Sequence, residues 1–117
     1  MVQDQPGPHL LILTNPGNPS GCAYTREELQ QLAAVFRKLS VIVLSDEIYA
    51  RLEYSGSHAC LAELYPEVSP SPSHNSRIPP QGTVLTSGFS KWSSAGGWRL
   101  GYAHFPPALQ SLRKVSA

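Results

Sequence analysis

Val41 to Tyr49 reads VIVLSDEIY. Its first four residues are apolar without a break, and three of them are β-branched, which favours an extended strand. A strand with one wet face alternates polar and apolar side chains, whereas a strand covered on both faces is continuously apolar. The stretch therefore predicts a buried strand over 41–44, in a parallel sheet shielded by helices. It ends at Ser45, Asp46 and Glu47, so polar groups arrive at the carboxyl end of the strand. In open α/β sheets that is the end where ligands sit.

Working upstream, Thr25 to Leu39 carries the clearest helical pattern. Thr25 and Glu28 have capping-box spacing. Glu27 and Glu28 suit the positive start of a helix, and Arg37 and Lys38 its negative end. Leu29, Leu32, Ala33 and Phe36 fall on one stripe, which marks a core-facing side and a structural role. Before it, HLLILT (9–14) predicts another buried strand. It runs into NPGNPSG (15–21), where two Asn-Pro steps exclude regular structure.

Downstream, Ile48–Tyr54 is expected to be a short helix or an irregular segment. Residues 55–82 are rich in Ser and Pro and predict a long surface connection, with CLAELY as its one periodic piece. TVLT (83–86) predicts a third strand and Arg99–Phe105 a fourth. Pro106 and Pro107 open a last helical stretch over 108–115. The order strand, helix, strand, loop, strand, strand, helix places the chain in the α/β class, with a mostly parallel sheet and right-handed crossovers. There is no internal repeat.

Composition narrows the function classes. The chain has 117 residues, a net charge of +1 and no basic run longer than Arg113–Lys114. That removes the electrostatic case for a nucleic-acid partner. Leu10–Leu13 is far short of the roughly 20 apolar residues that span a bilayer, and Met1–Leu10 lacks the pattern of a signal peptide. The expectation is a soluble, cytoplasmic protein with no membrane partner. Two cysteines without a Cys-x-x-Cys pair make neither a disulfide framework nor a redox motif. Four scattered histidines predict no metal site. The dinucleotide fingerprint and the P-loop are both absent, which weakens a small nucleotide-binding module.

The three parallel strand candidates all end in polar residues: Asn15–Asn18, then Asp46 and Tyr49, then Ser87–Lys91. Each alone has an ordinary reading. Asp46 is a helix N-cap, Asn18 a turn residue, Tyr49 a packed ring, and Lys91 and Arg99 solvated charges. Their convergence on one sheet edge is what points to a site.

GFSKWSSAGGWRLG (88–101) resembles the pyridoxal-phosphate attachment signature of the class-I aminotransferases. Gly88, Phe89, Ser90, Lys91, Arg99, Leu100 and Gly101 fit that signature position by position. NPGNPSG and SDEIYARLEY resemble the same family's Asn-Pro-x-Asn-Pro loop and its Asp-Glu-x-Tyr segment, in the family's order. The resemblance implies a partial three-layer α/β/α sandwich, a fragment of the fold-type I cofactor-binding large domain, over 1–117. It implies pyridoxal 5′-phosphate as cofactor, with Lys91 as the catalytic Schiff-base lysine and proton carrier. A lysine attacks only when neutral, and a planar arginine suits a phosphate.

By the same resemblance Asp46 would pair with the pyridinium nitrogen, Asn18 and Tyr49 with the phenolic oxygen, and Arg99 with the phosphate. Many family members carry Ser or Thr at the place of Gly88, and often Thr at that of Gly96. Ser87 or Ser90 would then stand in at the phosphate. The implied activity is amino-group transfer between an amino acid and a 2-oxo acid, in a homodimeric parent. The alternatives are a carbon–sulfur lyase on the same fold, or a truncated, non-catalytic product. The family's upstream phosphate turn and stacking aromatic, and its downstream carboxylate-binding arginine, have no counterpart in these residues. The chain is therefore expected to be a central piece of a longer domain.

Overall fold

The computed structural model describes residues 9–66 and 81–113. Four strands, β1 (His9–Thr14), β2 (Val41–Asp46), β3 (Gly82–Gly88) and β4 (Gly101–His104), form one sheet in the order β1-β2-β3-β4. β1 and β3 each pair parallel to β2, and β4 pairs antiparallel to β3. Two α-helices, α1 (Arg26–Leu39) and the single turn α2 (Leu61–Leu64), join them. Short 3-10 turns occupy Ala50–Leu52, Gly96–Trp98 and Pro107–Arg113.

α1 forms for the local reasons its sequence carries. The Thr25 hydroxyl accepts from the Glu28 N–H at 3.2 Å, and the Glu28 carboxylate accepts from the Thr25 N–H at 2.8 Å. Such a cap is worth about 1 kcal/mol. Ser40, in the left-handed region with φ of 54°, ends the helix. Leu29, Ala33 and Phe36 are buried against Val41 and Val43 of β2, together with Ala59, Leu61 and Tyr65. Full burial of a side chain such as Leu29 contributes about 1.5–3 kcal/mol.

Tyr65 is the keystone of this core and is fully buried. Its hydroxyl lies 2.7 Å from the Val41 carbonyl and 3.1 Å from Gln81 Oε1, and its own carbonyl accepts from Thr83 Oγ1 at 2.7 Å. The expected surface connection over 55–82 is therefore corrected in part. Ala59, Leu61 and Tyr65 belong to the core because one helical turn puts Leu61 and Tyr65 on the same side. Residues 67–80 of that connection lie outside the described residues.

β1 also differs from expectation. Leu10 and Ile12 are 68% and 64% exposed, because they point away from α1 on a strand at the sheet's edge. Among the described residues, both α-helices pack into the core cluster on one face of the sheet. The expected last helix is a 3-10 turn over Pro107–Arg113, and Val115 falls outside the described residues. Ile48–Tyr54 is a turn with the 3-10 piece Ala50–Leu52.

Candidate functional site at the carboxyl edge of the sheet

The register brings Thr14, Asp46 and Thr86 level with one another at the carboxyl ends of β1, β2 and β3. Three turns leave from that edge. The first, 15–21, contains two cis Asn-Pro bonds. It is closed by hydrogen bonds from Gly17 N–H to the Cys22 carbonyl and from Gly21 N–H to the Gly17 carbonyl, both 2.8 Å. Gly21 has φ of +70°, which favours glycine there. Asn15 pins the turn down. It is fully buried; its side chain accepts from Tyr24 N–H at 3.0 Å and donates to the Ala59 carbonyl at 3.3 Å.

Asn18 does not serve its own turn. Its Nδ2 donates to the Tyr49 hydroxyl at 3.2 Å, across 31 residues of chain. The Lys91 ammonium lies 5.4 Å from the centroid of the Tyr49 ring. Three residues from three different strand ends thus meet around one phenol. Asp46 is half-buried at the end of β2, and its Oδ1 accepts from the Ile48 N–H at 3.2 Å. That is a turn bond and not an α-helical N-cap, since only a 3-10 piece follows at Ala50.

The third turn carries Ser90, Lys91 and Arg99. Ser90 is half-buried and Lys91 exposed. Arg99 is exposed, with φ of 54°, and its Nη1 donates to the Gly96 carbonyl at 3.1 Å. A non-glycine residue in this region stores about 1–3 kcal/mol of strain, a cost that clusters at functional sites. Among the described residues, no hydrogen bond or ion pair joins the side chains of Asp46 or Arg99 to the Asn18–Tyr49–Lys91 group.

Gly88 has a steric reason. A Cβ there would lie 3.0 Å from the Leu100 carbonyl oxygen and 3.1 Å from Ile48 Cδ1. A serine or threonine at this position would force one of them to move. The Ser87 hydroxyl is engaged with the Glu47 carbonyl at 3.2 Å, which leaves Ser90 as the freer of the two serines.

Beneath the edge lies a buried polar cluster that the sequence reading did not single out. Glu47 is 5% exposed. Its carboxylate accepts from the Ser45 hydroxyl at 3.1 Å and lies 2.9 Å from His58 Nε2. Burial, and then the Glu47 charge, push the Cys60 thiol up to about 11. Strand parity carried a signal for Glu47. Val41, Val43 and Ser45 face α1, and Glu47 continues that alternation into the protein. Among the described residues no group of three or more His, Cys, Asp or Glu could hold a metal ion. No helix there is long and apolar enough to cross a membrane.

An open cavity of about 570 Å³ adjoins Asn18 and Tyr49 and is also lined by Pro16, Leu52 and Tyr54, but not by Lys91, Asp46 or Arg99. The residues expected to bind pyridoxal phosphate lie instead at the strand end and in the turns that leave the sheet edge, where Asn18, Tyr49 and Lys91 meet. Their chemistry fits such a group. An amide N–H and a phenol stand together beside an amine, and Arg99 spends one N–H on Gly96 while keeping others. The turn between Lys91 and Arg99 leaves room. A Cβ on Gly97 would meet nothing within 4 Å, and one on Gly96 only the Ser90 carbonyl at 4.0 Å.

The family model for aminotransferase class I and II matches residues 2–116. An aspartate aminotransferase of Geobacillus stearothermophilus is 41% identical over 97 residues, which is 82% of this chain and 22% of the relative. A tyrosine aminotransferase of Caenorhabditis elegans is 36% identical over 92 residues, covering 79% of this chain and 17% of the relative. Among solved structures, the aromatic aminotransferase of Pyrococcus horikoshii superposes with a TM-score of 0.69 at 29% identity. It covers 88% of this chain and 24% of that one. The Thermus thermophilus aspartate aminotransferase with maleate gives 0.67 at 30%, over 89% and 25%. The chain thus spans about a quarter or less of the length of these relatives.

Proposed function

The chain belongs to the class I and II aminotransferase family, and from that premise we propose that it carries the cofactor-holding edge of a pyridoxal-phosphate-dependent aminotransferase. The observation that carries the reading is the meeting of Asn18, Tyr49 and Lys91 around one phenol, from turns after three separate strands. The bound cofactor would supply an electron sink that stabilises negative charge next to the amino group being moved.

Each residue has a task that its chemistry suits. Lys91 Nζ is the nucleophile that would hold the cofactor covalently, and afterwards the base that carries the proton. Tyr49 Oη and Asn18 Nδ2, already bonded to one another, would orient the ring's phenolic oxygen. Asp46, level with Thr14 and Thr86, would keep the ring nitrogen protonated. Arg99 offers its planar fork to the phosphate, and the Ser90 hydroxyl would add a neutral donor.

The substrates on this reading are an amino acid and a 2-oxo acid. The chain is the central part of a cofactor-binding domain, in a cytoplasmic homodimer. The test is direct. The purified chain is incubated with pyridoxal phosphate, reduced with borohydride, digested and examined by mass spectrometry. An adduct on Lys91 that exceeds those on Lys38 and Lys114 supports the reading. Equal labelling of all three lysines, or none, refutes a selective site in this chain.

A further inference from the structure

Two cation–π contacts cross the gap between the turn after β2 and the turn after β3, and they run in opposite directions. Lys91, from the β3 turn, lies over the Tyr49 ring at 5.4 Å. Arg51, from the β2 turn, lies over the Trp92 ring at 4.6 Å. Arg51 follows Tyr49 by two residues, and Trp92 follows Lys91 by one. Each turn therefore offers one cation and one aromatic face to the other.

The Arg51–Trp92 contact is held at its indole end by other aromatic rings. Trp92 packs on Phe89 at 5.4 Å between centroids, and Phe89 on Tyr102 of β4 at 5.9 Å. The Trp92 indole N–H is buried with no partner among the described residues, so the ring's contacts there are through its faces and edges. Arg51 is exposed and forms no ion pair among the described residues, which leaves stacking as the contact that fixes its guanidinium. Indole is the best aromatic face for a cation, and a planar guanidinium stacks where an ammonium cannot.

We propose that Arg51 and Trp92 are positioning residues for Lys91: their stack clips the two turns together and thereby keeps the Lys91 amine beside the Tyr49 phenol. The inference deepens the proposed function and rests on it for the role of Lys91. Trp92 is bonded to Lys91 through one peptide, so fixing the indole fixes the backbone from which the amine reaches. Lys91 itself is exposed and has four rotatable side-chain bonds to order. Without the clip, its single contact with Tyr49 has to bear that entropy alone.

The test needs no cofactor. Limiting acetic anhydride acetylates exposed amines, and Lys38 in the last turn of α1 serves as the reference within the same molecule. An amine held against a ring is shielded on that side. The Lys91-to-Lys38 acetylation ratio should therefore rise about two- to fivefold in Arg51→Ala and in Trp92→Leu. Trp92→Phe, which keeps an aromatic face for the guanidinium, should bring it back towards the starting value. In a Trp98→Phe background, acrylamide should quench Trp92 more strongly in Arg51→Ala than in the parent.

An unchanged ratio in both Arg51→Ala and Trp92→Leu overturns the proposal. So does a uniform rise at Lys91 and Lys38, which would mark general loosening. Unchanged Trp92 quenching in Arg51→Ala also overturns it. Failure of pyridoxal phosphate to mark Lys91 would refute the proposed function instead, and these readouts would still decide the positioning pair.

Discussion

Alkylation of Cys60 should be about a hundredfold slower than that of a free thiol, and the reason lies in the buried cluster under the site. Only the thiolate reacts with iodoacetamide. Burial is the larger cause, and the Glu47 charge the next, of a thiol pushed from an ordinary value of 9.0 up to about 11. At pH 8 an ordinary thiol is then about one-tenth ionised and Cys60 about one-thousandth, a ratio of ~100. The assay uses a Cys22→Ser chain, so that one protein thiol reports, with N-acetylcysteine as competitor in the same mixture. Glu47→Gln removes the second cause and leaves the burial, so the rate should rise several-fold and still fall short of the free thiol. The pH dependence of stability has a definite sign. The unfolded chain sheds this proton near 9 and the folded chain near 11. The contribution is complete below about 9 and is lost as pH rises towards 11. A Cys60 rate within about threefold of N-acetylcysteine, or no response to Glu47→Gln, would refute the placement of Cys60 against a buried carboxylate.

Four other outcomes are expected. Tyr65→Phe strips the hydroxyl from the Val41 carbonyl and Gln81, and urea unfolding should show a loss of about 1–3 kcal/mol. Gly88→Ser sets a side chain against the Leu100 carbonyl and Ile48; the melting temperature should fall, and a gain in phosphate-dependent cofactor retention would contradict the steric account. Lys91→Ala should abolish the borohydride-fixed adduct while equilibrium dialysis still finds some cofactor held through Arg99 and Asp46. Asp46→Ala should lower turnover of the full enzyme more than its cofactor affinity, and turnover undiminished in both this variant and Lys91→Ala would sink the assigned roles.

Much of the fold was legible because its causes are local. The capping box of α1 spans four residues, its stripe repeats within two turns, and the structure reproduces both. The apolar run 41–44 marks β2, which the structure extends to Asp46. Wider reading failed where burial depends on neighbours far along the chain. The apolar run of β1 looks buried, yet Leu10 and Ile12 are exposed because they point to the face opposite α1 and α2. The Ser- and Pro-rich composition of 55–82 looks like surface, yet Ala59, Leu61 and Tyr65 are core, held by a phenol that reaches the Val41 carbonyl 24 residues away.

By itself the sequence determined the α/β class, the three polar strand ends and the identities of the reactive side chains. Those follow from periodicity, capping and residue chemistry within a few positions. Only the tertiary structure decided which of them meet. The parallel register sets Thr14, Asp46 and Thr86 level, and that alignment lets Asn18 reach Tyr49 across 31 residues. It also brings Arg51 onto Trp92 and Lys91 onto Tyr49. A side chain's bonding capacity is fixed by its own atoms. Its partner is fixed by the register of strands that are distant in sequence, and no local pattern encodes that distance.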